Sequence, residues 1–218
     1  LHTREDYCDL KRLGPDRIDL LLKERDAAAA DAGKVDVVIG AGGEDAAQGG
    51  DPTVGILLVN QMATSMGHSG LRRALSLVID RTAAAKAMGT DYAAAEGLVP
   101  YGIATDSGEV FRQANGALID NDPDTYEERC QGALALLRQA GYTNATTLSA
   151  LDTVTLLYDK DTAHAQVAWQ LQQTWESRLG VKVQLEGVDS GELTARLGSG
   201  EFVLALLELS AAYNDASA

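Results

Sequence analysis

Apolar and polar positions along this chain change period repeatedly, and the changes mark out its elements. Residues 16–22 (DRIDLLL) are a short apolar run that predicts a strand. Residues 23–33 are Ala-rich and end in Gly33, the pattern of a short helix with a glycine stop. The β-branched run at 35–39 (VDVVI) predicts a second strand and 53–60 (TVGILLVN) a third. Residues 69–89 predict one continuous helix, because Leu71, Ala74, Leu75, Val78 and Ile79 recur at the spacing of one helical face. Residues 88–121 show little periodicity and read as a long covering loop.

A second helix is expected over 121–142. Asp122 can cap it, Pro123 suits its first position and Gly141 its left-handed stop. Its apolar face holds Tyr126, Cys130, Ala133, Leu134 and Leu137. Residues 153–158 (TVTLLY) predict a strand. The helix over 161–180 follows, with an apolar stripe of His164, Val167, Leu171, Trp175 and Leu179, and Gly180 as its stop. Residues 181–188 alternate strictly, a strand with one wet face. A short helix at 190–200 leads to 202–207 (FVLALL), apolar on both faces and therefore central. Strands alternating with helices define an α/β fold: a parallel or mixed sheet flanked by helices.

Composition narrows the function classes. A formal charge of -14 repels phosphate backbones and argues against nucleic acid as a partner. No window approaches the roughly 20 apolar residues of a membrane helix; the nearest, 202–212, carries Glu208. The chain begins at Leu1 without a leader pattern, as a mature or excised piece would. Cys8 and Cys130 are too few for a disulfide framework. A bridge between them stays open, but Cys130 on an apolar stripe is expected to be an inert thiol.

The glycines at 40, 42 and 43 follow a strand as they would in a dinucleotide-binding turn. The third glycine position of that fingerprint is Asp45, Pro52 breaks the helix that should follow, and Glu44 would face the phosphate. No cofactor is expected there. His2, His68 and His164 share no metal-ligand spacing with each other or with a cysteine, and read as surface or edge residues. The acidic 120–124 segment lacks a calcium loop's spacing and reads as capping carboxylates. Trp169 lies off its helix's apolar stripe and is expected to pack against a neighbouring element. Nucleophile motifs are missing as well, so binding is favoured over catalysis.

Several segments, read in order, resemble the bacterial extracellular solute-binding proteins of family 5, the oligopeptide- and dipeptide-binding group. GLRRALSLVIDRTAAAKAM (70–88) is similar to the family's V-R-x-A-L-x-x-A-I-D-R helix, and EGLVPYGI (96–103) to its G-x-V-P-x-G loop. DPDTYEERCQGALALLRQAGY (122–142) resembles the family's helix ending E-A-G-Y, and 171–215 its end-of-lobe run with G-V-x-V and G-x-F-D elements. REDYCDLKRLGPDRIDLLL (4–22) resembles its N-x-x-Y-W segment, with Cys8 in place of Trp; GILLVNQM (55–62) stands at its Y-x-x-F-N-T strand.

The resemblance implies a type II periplasmic-binding-protein lobe: residues 1–218 as the C-terminal ligand-binding lobe of a two-lobe receptor, with hinge segments near both ends. It further implies an extracytoplasmic, lipid-anchored location and an ABC permease as partner. The ligand would be a peptide or related small solute held between the lobes. It points to Leu58, Asn60, Ser210, Tyr213 and Asn214 as ligand contacts, each equally readable as a hinge or packing residue. Ala212 stands where peptide-binding members carry an Asp, with Glu208 or Asp215 as the nearby carboxylates. Two other classes remain open: a non-transport lobe binding a protein partner, and a degenerate nucleotide-binding enzyme domain.

Overall fold

The computed structural model describes residues 53–100, 102–105 and 107–210. The strands and helix expected within 16–39, the glycine turn after them, Cys8, His2, Ala212, Tyr213 and Asn214 lie outside the described residues.

In chain order the described elements are β1 (Thr53–Val59), α1 (Ser69–Leu77), α2 (Arg81–Met88), α3 (Phe111–Asn115) and α4 (Tyr126–Gln139). They continue with α5 (Ala145–Ser149), β2 (Val154–Asp159), α6 (His164–Leu179), β3 (Val183–Val188), α7 (Ser190–Ser199) and β4 (Leu204–Ser210). Four strands form a mixed sheet in the order β1-β4-β2-β3, with β2 parallel to β3 and β4, and β1 antiparallel to β4. The run at 202–207 was expected to be central; β4 does lie between β1 and β2.

Alternation along the strands sorts side chains to two faces. Leu57, Val59, Val154, Leu156, Val183, Leu204 and Leu206 face a core shared with α1, α2, α4 and α6, whose largest fully buried side chain is Trp175. Leu157 and Ala205 face the other way and pack with Leu193 and Leu197 of α7. The connection from β2 to β3 and that from β3 back to β4 run in opposite directions across the sheet. Crossovers of one handedness therefore place α6 and α7 on opposite faces.

Three expectations are corrected. Residues 69–89 are two helices, because Asp80 takes an extended conformation and its carboxylate accepts from the Ala83 amide at 2.9 Å, starting α2 afresh. The break leaves the carbonyls at the end of α1 without helical donors. Side chains collect them: Trp175 Nε1 on Leu75 O at 2.9 Å, Arg129 on Leu77 O at 3.4 Å and Tyr126 Oη on Val78 O at 2.9 Å. Ile79 N and Arg81 both reach Ser76 O. Burial, then the nearby Arg129 charge, lowers the Arg81 pKa; burial, then Cys130, raises that of Tyr126.

The 88–121 segment is also more than a covering loop. It holds α3 and an antiparallel bridge between Ala104 and Val110, organised by Arg112, which is 4% exposed. Arg112 donates to Val99 O and Gly116 O, both at 2.9 Å. One buried guanidinium gives a sequence no periodicity, which is why the pattern hid this order. Trp169, expected to pack on a neighbour, is 52% exposed. Cys130 is a free, buried thiol.

Candidate functional site

Loops that follow parallel strands gather at one edge of an α/β sheet, where ligand crevices form. Here that edge comprises the ends of β2, β3 and β4 and the start of antiparallel β1. Three cross-strand rows define it: Thr53 pairs with Ser210, Gly55 with Glu208, and Leu57 with Leu206. Leu57 and Leu206 belong to the larger core, so by alternation all three rows face the α1, α2, α4 and α6 layer. The hydroxyls of Thr53 and Ser210 meet at 2.6 Å. Tyr92, in the turn after α2, donates its hydroxyl to Glu208 Oε1 at 2.8 Å.

His164 opens α6 just beyond the end of β2, at the same edge of the sheet. The sequence placed it on the surface or an edge, but it is 7% exposed and neither ring nitrogen has a hydrogen-bond partner. A buried polar ring without partners costs stability and is kept where something else is gained. Its place in the apolar stripe was legible in the sequence; the absence of any partner was not, since partners come from other elements.

Of the residues singled out from the sequence, Leu58, Asn60 and Ser210 lie among the described residues, and these three are not brought together. Ser210 lies at the edge just described. Leu58 pairs with Ala205, and the Asn60 amide bonds Val203 O at 2.9 Å, both toward the start of β4. Ser210 is seven positions from Val203 along β4, roughly 23 Å at the rise of a strand. The Asn60 carboxamide is also fully engaged. Its NH2 group donates to Gly200 O at 3.0 Å and Phe202 O at 2.9 Å, and Oδ1 accepts from Met62 N at 3.0 Å.

Other candidate chemistry resolves into local structure. His68 caps α1 by accepting from Gly70 N at 3.2 Å. In the acidic segment, Asp120 accepts from Asp122 N and the Thr125 hydroxyl, and Asp122 accepts from Asp124 N. Those contacts hold the Asp120 carboxyl below its usual pKa, the Thr125 hydroxyl first among them. Among the described residues no group of three or more His, Cys, Asp or Glu could hold a metal ion, and no helix is long and apolar enough to cross a membrane.

A mixed sheet between helix layers, with polar groups gathered at the carboxyl edge of its parallel strands, is an α/β architecture of the kind that binds ligands at that edge. A sequence model of the bacterial extracellular solute-binding proteins, family 5 Middle, matches residues 10–218, and the chain belongs to that family. It is 30% identical over 147 residues to the probable deoxycholate-binding periplasmic protein YgiS of Escherichia coli. That match covers 67% of this chain and 25% of YgiS.

Solved structures share the fold. The murein tripeptide binding protein MppA of Escherichia coli superposes with a TM-score of 0.61 at 22% identity, over 77% of this chain and 31% of MppA. The pheromone receptor PrgZ gives 0.62 at 23% identity, over 76% and 32%. Burkholderia pseudomallei OppA gives 0.56 at 23%, over 77% and 31%. The chain thus spans about a quarter to a third of the length of these relatives.

Proposed function

We propose that this chain is one lobe of an extracytoplasmic, lipid-anchored receptor that binds a peptide or related small solute and delivers it to an ABC permease. Closure of two lobes about a hinge would enclose the ligand and present the closed form to the membrane partner. The observation that carries this reading is the composition of the carboxyl edge: an unpartnered, buried His164 and a Tyr92-held Glu208 at the same edge of one sheet, in a chain of this family.

Ligand contact is assigned to that edge, with Ser210 on it and Tyr213 and Asn214 next along the chain. Leu58 and Asn60 act as packing or hinge residues, Asn60 by tying the start of β4 to the end of β1.

The test is native mass spectrometry of the full-length protein, both lobes present, purified without refolding. Extra mass that leaves on activation supports the receptor, and its value names the solute class. A clean apo mass, followed by no thermal shift across peptides, bile acids and small metabolites, turns the reading toward a protein-binding lobe.

A further inference from the structure

The amino edge of the sheet, at the far end of the strands from the candidate ligand edge, carries a cavity of its own. Thr153 and Lys182, the residues just before β2 and β3, line it, as do the ends of α4 and α6 and the short helix α5. Its volume is about 590 Å³, within the roughly 300–1,000 Å³ of small-molecule pockets. Leu137 and Leu179, 2% and 3% exposed, line it together with the half-buried Leu134, Leu148 and Leu151. All five belong to the larger core or pack on it. The α5 wall is preformed. Asn144 Oδ1 accepts from Thr147 N, and the Thr147 hydroxyl accepts from Asn144 N, both at 3.0 Å. Leu148 rests on the left-handed cap of α6, 3.3 Å from where a Cβ on Gly180 would stand.

The charges around this leucine lining say what fits it. Arg138 and Lys182 are exposed, and neither has an ion-pair or hydrogen-bond partner among the described residues. They are not held by the helix ends beside them, whose carbonyls are already taken: Leu136 O by Ala140 N, Leu137 O by Tyr142 N, Glu176 O by Gly180 N and Trp175 O by Val181 N. Asp152 is the lone carboxylate in the lining. The site is therefore net positive in a chain of charge -14. We propose that the cavity binds a small amphipathic anion, an aliphatic carboxylate whose chain lies on the leucines and whose charge meets Arg138 and Lys182. This site is separate from the carboxyl edge and does not depend on the receptor reading.

Full-length protein is titrated with decanoate, decylammonium and acetate, each below its micelle concentration, and binding is read by calorimetry and thermal shift. Decanoate is expected to bind about fivefold tighter than decylammonium, the scale of one or two solvent-exposed ion pairs. Acetate, which has the charge without the chain, is expected not to bind.

Arg138→Gln combined with Lys182→Gln removes the charge at two exposed positions, so the fold is kept, and is expected to abolish the preference for decanoate. Leu151→Trp fills the cavity and is expected to weaken both amphiphiles. Where that variant does not fold, the paired glutamine variant decides. Equal binding of the two amphiphiles, a preference that survives the glutamine variant, decanoate binding untouched by a folded Leu151→Trp, or no binding of decanoate by the unaltered protein overturns the inference. Each of these outcomes leaves the receptor reading standing, because the altered residues lie at the opposite edge of the sheet from its proposed contacts.

Discussion

The indole nitrogen of Trp175 donates to the carbonyl of Leu75 across a hundred positions of sequence, at 2.9 Å and fully buried. The bond exists because α1 stops early: Ile79 N turns to Ser76 O, and the carbonyl of Leu75 is left for another donor. Trp175→Phe keeps most of the packing but strands that carbonyl in the core. The expected loss is about 3 kcal/mol, from an orphaned buried acceptor and a small void. Trp169→Phe, at the exposed position on the same helix, should change stability by less than about 0.5 kcal/mol. Urea unfolding of the two variants checks both, and a Trp175→Phe loss no larger than the Trp169→Phe one would sink the account.

What the sequence made legible follows from where the determining contacts lie. Apolar stripes at helical spacing in α4 and α6, and alternation into β3, are local patterns, and those elements stand where the periods placed them. The break at Asp80 was written in the sequence as an N-cap residue but masked by the unbroken stripe around it. Order within 88–121 was not legible, since Arg112 is an ordinary polar residue until Val99 and Gly116 are seen to surround it. The candidate site was half legible. The end of β4 could be found from the strand pattern, whereas the cross-strand pairing of Gly55 with Glu208 and the reach of Tyr92 depend on register, which no local pattern sets.

Asn60 distinguishes a structural residue from a contact residue. Both of its donated hydrogen bonds end on backbone carbonyls of the turn before β4. Asn60→Ala should therefore lower stability by about 1–2 kcal/mol, and Asn60→Asp by more, because it sets a carboxylate against two carbonyl oxygens. Ligand affinity of the folded full-length protein should stay unchanged in Asn60→Ala. A variant of normal stability and lost affinity would move Asn60 back among the contacts.

Gly97 is fixed by Arg112. A Cβ at position 97 would lie 2.4 Å from one guanidinium nitrogen and 2.8 Å from its central carbon. Arg112 cannot swing away without giving up two backbone carbonyls. Gly97→Ala should cost about 2 kcal/mol, the scale of overpacking a tight site. In an Arg112→Ala background the same change should cost far less, because the colliding group is gone. A double-mutant cycle measured by thermal or urea unfolding reads the coupling directly. Additive effects would mean that the glycine is needed for some other reason.

The start of α4 predicts a pH dependence with a definite sign. Asp120 accepts from the Thr125 hydroxyl at 2.6 Å and from Asp122 N at 2.8 Å, and these bonds favour its charged form. Its folded pKa accordingly lies below the ordinary 3.8. A carboxyl depressed on folding adds stability that is present above its unfolded pKa and fades as pH falls through the folded one. The window therefore lies on the acid side of 3.8, and the neutral range is untouched. Thr125→Val removes the hydroxyl that contributes most to the depression while keeping the side chain's shape, so the Asp120 carboxyl should titrate closer to the ordinary value and the acid-side loss should shrink. Carbon-detected NMR titration of the Asp120 carboxyl in both proteins measures the shift. An unchanged titration in Thr125→Val would mean that the backbone amide of Asp122, rather than the hydroxyl, sets it.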